Sequence, residues 1–87
     1  MYRIKHFRIV REDLTLEEFF ALSKPVMDFV NDPAAPVKAM FSSMPAKNSD
    51  LCKAVLFAEL DMDDPRLARL EELMAAKAVP ANDSAIQ

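Results

Sequence analysis

Polar and apolar residues alternate at the amino end of the chain, where Tyr2 and Ile4 are interleaved with Arg3 and Lys5, until the pattern slips at His6 and Phe7 and Ile9 take the opposite parity. Residues 2–10 are dense in β-branched and aromatic types, which predicts an amino-terminal strand. The slip implies either a bulge near His6 or a strand covered on both faces.

From Thr15 the period becomes helical. Thr15-Leu16-Glu17-Glu18 has the form of a capping box, in which the Thr15 hydroxyl and Glu18 carboxylate satisfy free amides at a helix start. Leu16, Phe19, Phe20, Val26, Met27 and Val30 follow at helical spacing, predicting a helix over roughly 15–30. Pro25 lacks a donor and crowds the carbonyl four residues back, so a kink or short break is expected at Ser23 to Pro25. Asp32-Pro33 then reads as a cap followed by a first-turn proline, with Pro36 as the other candidate start. Val37, Met40, Phe41 and Met44 would share one face of a second helix, 34–44.

Residues 50–62 are ambiguous. As a helix they place Leu51, Val55, Ala58 and Met62 on one side and Phe57 outermost; as a strand over 53–60 they would be apolar on both faces. Their Ala, Leu, Lys, Glu and Met content favours the helix. Asp64-Pro65 repeats the cap-and-proline start, and Leu67, Leu70, Leu73 and Met74 give a last amphipathic helix, 65–77. The expected fold is therefore mostly α: four short helices (15–30, 34–44, 50–62, 65–77) and one strand (2–10), with α+β, 53–60 being a second strand, as the alternative. Residues 1–78 would form one small domain and 79–87 a mobile tail.

Composition narrows the picture. A chain of 87 residues with 52% hydrophobic and 29% charged residues is that of a small folding domain. The absence of glycine disfavours tight hairpins and glycine-rich phosphate loops. No apolar run reaches the length of a membrane span, and basic residues interrupt the start, so a cytoplasmic protein without membrane association is expected. Of eleven basic residues, four (Arg3, Lys5, Arg8 and Arg11) lie in the first eleven positions, leaving seven against fourteen acids in the rest.

Reactive chemistry is sparse. With one histidine, His6, and one cysteine, Cys52, in an apolar stretch, a catalytic triad cannot be well populated, and a Cys52–His6 pair is less favoured than a buried thiol and a surface imidazole. The acidic run Glu59, Asp61, Asp63 and Asp64 lacks the glycine and final glutamate of a calcium loop, and reads instead as a solvated junction with Asp64 capping a helix. Glu17-Glu18 and Glu71-Glu72 read as solvated helix faces. Met27, Met40, Met44, Met62 and Met74 fall on the apolar stripes and are expected to fill the core. No catalytic, metal or cofactor site is expected.

A lone strand would leave its backbone groups unpaired, which calls for a partner: a second copy or another protein adding a strand. The expected function is a small non-catalytic protein-binding factor, such as a regulator, inhibitor or assembly accessory, able to act as a homodimer. Tyr2, Ile4, Phe7, Ile9 and Phe57 are the candidate contacts. The alternative is a nucleic-acid accessory using Arg3, Lys5, Arg8 and Arg11, weakened by the acidic remainder.

Overall fold

A computed structural model describes residues 4–45 and 50–81. In chain order it contains β1 (Ile4–Leu14), α1 (Leu16–Val30), β2 (Lys38–Pro45), β3 (Cys52–Asp61), α2 (Pro65–Met74) and β4 (Ala78–Pro80). The strands form one sheet in the order β2-β3-β1-β4, every neighbouring pair antiparallel. Each helix thus connects two parallel strands that have a third strand between them, the split β-α-β arrangement in its ferredoxin-like form. The fold is α+β and not mostly α.

Two of the expected helices are strands. Over 34–44, Met40 and Met44 are four residues apart, a spacing that shares a face in either geometry; Phe41 decides between them. In β2 it pairs with Leu56 on one side of the sheet, while Met40 pairs with Phe57 and shows its side chain on the other. Asp32-Pro33 caps no helix there: the Asp32 carboxylate accepts from the Ala34 amide (2.9 Å) and holds a turn. Over 50–62 the strand alternative is the one adopted. Cys52, Ala54, Leu56, Ala58 and Leu60 are buried on the parity that faces the helices, and Val55 is buried on the other, so β3 is apolar on both faces. An apolar run this short has no period that separates a central strand from a buried helix, and helix propensity gave way to tertiary pairing on both edges.

The remaining elements follow local chemistry. Thr15 Oγ1 accepts from the Glu18 amide (3.1 Å) and Glu18 Oε1 from the Thr15 amide (2.8 Å), completing the capping box. Phe19, Val26 and Val30 bury one stripe of α1, which is helical throughout, without the break expected at Pro25. The carbonyl deprived of a donor belongs to Ala21, which is exposed to water. Asp64 caps α2 and Pro65 starts it, as the sequence implies. This helix ends at Met74 and not at 77 because Ala75 turns left-handed (φ 55°, ψ 44°), a position usually given to glycine and here taken by alanine in a glycine-free chain. Ala78–Pro80, which reach into the stretch expected as tail, pair with Phe7, Arg8 and Ile9 as β4; residues 82–87 lie outside the described set.

The β1 strand runs past residue 10 to Leu14, and its register shift lies between Arg11 and Leu14, not at His6. The core between sheet and helices contains Phe7, Ile9, Leu56, Leu60, Val26, Leu70 and Met74. Phe19 stacks on Phe41 with ring centroids 5.1 Å apart. Of the five methionines expected in the core, only Met74 is there. Met27, Met40, Met44 and Met62 are exposed, because the second and third helices to which three of them were assigned are strands and turns.

Arg66 ties the start of α2 to the loop before β2. Its guanidinium meets both Asp64 carboxylate oxygens (2.7 to 3.1 Å) and donates to the carbonyls of Ala35 (2.9 Å) and Pro36 (3.3 Å). The Arg66 hydrogen bonds, then the Arg66 backbone amide, hold the Asp64 carboxyl below its usual range. A depressed carboxyl stabilises the fold above its unfolded pKa, near 3.9, and the benefit fades as acid protonates it below about pH 4. Arg66→Ala is expected to lower unfolding stability by about 1 kcal/mol at pH 7, a charge-assisted figure discounted for partial exposure. The deficit relative to the parent should shrink below pH 4 in urea titrations.

Candidate functional site

Both helices lie on one side of the sheet. On the other side the pairing sets four rows of side chains across the strands. Lys38, Glu59 and His6 make the first row, Met40, Phe57, Arg8 and Val79 the second, Ser42, Val55 and Val10 the third, and Met44, Lys53 and Glu12 the fourth or its vicinity. No described element covers this face. Antiparallel sheets with one wet face ordinarily alternate apolar-in and polar-out. Here the second row carries three exposed apolar side chains beside Arg8, with Met40 66% exposed, Val79 50% and Phe57 40%; Met44 in the fourth row is 48% exposed, and Val55 between them is only 3% exposed.

Charges lie toward the ends. The Glu59 carboxylate meets His6 Nε2 at 3.6 Å and Lys38 Nζ at 3.3 Å, and Lys53 Nζ lies 3.9 Å from Glu12. Among the described residues Arg8 has no carboxylate partner, although it sits opposite Phe57 on β3 and Val79 on β4. Phe57 separates two shallow depressions of about 260 Å³ and 390 Å³, the first beside His6 and Glu59 and the second beside Val10 and Lys53. The arrangement is an apolar strip bordered by charges of both signs, suited to contact with another surface.

The residues singled out from sequence are dispersed. Tyr2 and Arg3 lie outside the described set, and of Ile4 only the pairing with Asp61 is described. Phe7 and Ile9 are buried beneath the helices, so they contact no partner from the folded state. Phe57 is on the open face. Of the proposed nucleic-acid contacts, Arg8 shares that face, but Arg11 serves the fold by donating to the Met74 carbonyl (3.2 Å) and pairing with Asp13 (2.6 Å). Lys5 is exposed on the parity opposite to Arg8. Nor is β1 the unmated strand expected from sequence: it is interior to the sheet and bonded to β3 on one side and β4 on the other.

Cys52 and His6 do not meet. His6 is level with Glu59, and Cys52 is seven residues further along β3, or roughly 23 Å at strand rise. Glu59, Asp61 and Asp64 are engaged separately, in ion pairs, in a turn closed by the Asp63 amide (2.9 Å), and at the α2 cap. Among the described residues no three His, Cys, Asp or Glu side chains gather as metal ligands, and no helix is long and apolar enough to cross a membrane.

Sequence reasoning missed Val10, Met40, Met44 and Val79. The signal lay in parity: read with period two, Lys38, Met40, Ser42 and Met44 separate from Ala39, Phe41 and Ser43. Comparison with family models, curated proteins and solved structures finds no match to this chain.

Proposed function

We propose that the protein acts by binding another protein through the open face of its sheet, without chemistry of its own, in the manner of a regulator, inhibitor or assembly accessory. One observation carries this: the exposure of Met40, Met44, Phe57 and Val79 together on a face that water would otherwise populate with polar side chains. Interfaces of this kind have an apolar centre with an aromatic anchor and a polar rim that excludes water. Phe57 is the anchor, and Lys38, Glu59, Lys53 and Glu12 form the rim. Methionine adds conformable, polarisable surface.

Capture from native extract on immobilised protein tests it, using the parent, Phe57→Lys, and Phe20→Lys as a control on the exposed side of α1. A partner, the chain's own copy included, should be retained by the parent and by Phe20→Lys and lost with Phe57→Lys. Equal retention by all three would place binding elsewhere.

A nucleic acid is the second reading, favoured by Arg8, which has no carboxylate partner among the described residues and sits beside Phe57, since a cation next to an aromatic ring can hold a phosphate while a base stacks. Glu12 and Glu59 on the same face oppose it. Binding by that route would fall steeply with salt and be reversed by Arg8→Glu.

A further inference from the structure

We infer that the occupant of the open face is a second copy of this chain, packed sheet to sheet about a two-fold axis that runs parallel to the strands between β1 and β3. This rests on the protein-binding role proposed above and names its partner.

The pattern of the face supplies the argument. In a four-stranded sheet of order β2-β3-β1-β4, an axis between the two middle strands lays β3 over the partner's β1 and β2 over the partner's β4, and it keeps each row at its own height. Along the two middle strands every row then meets its complement. Glu59 faces the partner subunit's His6, and Lys53 faces the partner subunit's Glu12. Phe57 faces the partner subunit's Arg8, a cation that has no carboxylate partner among the described residues of its own subunit. Val55 faces the partner subunit's Val10, and Met40 faces the partner subunit's Val79. The rotation repeats each contact in reverse, as a two-fold interface requires. Facing sheets are inclined by about 30°, so these pairings hold best near the axis, where Phe57, Arg8, Val55 and Val10 lie. An arginine over a phenylalanine ring is favourable once water is excluded.

Size agrees with the same occupant. At strand spacing the four strands present roughly 500 Å² in projection, more with side-chain relief, so two facing copies reach the ~1,000 Å² expected of a specific interface. The molecule measures 16 Å along its shortest axis, two layers deep. A second copy completes a four-layer body with helices outside and both sheets within.

Sedimentation equilibrium of the full chain from micromolar to about 1 mM tests this. The parent should sediment at twice its 9.8 kDa mass. Phe57→Lys should dissociate at least ~100-fold more readily, since each dimer would bury two added cations against arginine, with an unchanged far-ultraviolet circular dichroism spectrum. Should that variant fold poorly, the exposed rim gives the same test: Lys53→Glu should weaken the dimer and Lys53→Glu with Glu12→Lys should restore it. A parent that is monomeric at 1 mM overturns the second copy as occupant; if extract capture still depends on Phe57, the protein-binding role stands with a different partner. A dimer that persists in Phe57→Lys and ignores the Lys53 and Glu12 exchange overturns the sheet-to-sheet arrangement.

Discussion

Ile9→Ala is expected to destabilise the fold by about 3 kcal/mol, within the usual range for removing a buried aliphatic side chain without full collapse of the cavity. Ile9 has no solvent exposure and sits on an interior strand, opposite Leu56 on β3 and Ala78 on β4, beneath the helices. Removing its outer carbons leaves a void that β1 cannot close, because hydrogen bonds on both edges hold the strand in place. For a chain of 87 residues the whole stability is on the order of 4 to 13 kcal/mol, so the loss is a large share of it. Thermal unfolding should move down by roughly 10 to 25 °C. An Ile9→Ala protein of parental stability would mean that β1 is not in the core.

Met40→Lys should show the opposite behaviour. Its side chain is 66% exposed on the open face and covers little of its own core, so unfolding stability should stay within about 0.5 kcal/mol of the parent. Association should weaken by two orders of magnitude or more, because an ammonium group would be taken out of water opposite the apolar side chains that Met40 is proposed to meet. Under the proposed role the two substitutions separate the two sheet faces: Ile9→Ala should impair folding and Met40→Lys should impair association. Far-ultraviolet circular dichroism and urea titration report the first, and sedimentation the second.

The sequence was most legible where chemistry acts over a few residues. Thr15 and Glu18 announce α1, Asp64 and Pro65 announce α2, and both appear where their caps place them. The β1 strand was visible in its alternation, although its length was not, because Glu12 and Asp13 are exposed and resemble a strand end. Legibility failed where long-range pairing decides. Nothing local tells Ala54, Leu56 and Ala58 that β1 and β2 lie on either side of them, and a segment of good helix formers became the strand between them.

That one element determined the rest of the functional picture. With β3 extended, β1 gains a mate and the case for a partner based on bare amides disappears. The same change carries Met40, Met44 and Phe57 onto one exposed face, which provides a separate case for a partner. Of the five contact residues named from sequence, Phe57 alone is described on that face, and it was chosen as an outward residue of a helix that does not exist. Arg8, a candidate phosphate contact from sequence, stands opposite Phe57 on the open face. Met40 and Met44 were assigned to the core because a spacing of four residues fits one side of a helix and one side of a strand alike.

Methionine oxidation by dilute peroxide, read by mass spectrometry across a dilution series of the intact protein, tests the covered face most directly. Met40 should be protected at high concentration and become reactive on dilution, while Met27 and Met62 react quickly and the buried Met74 slowly at every concentration. Met40 reacting as fast as Met62 throughout the series would contradict the account.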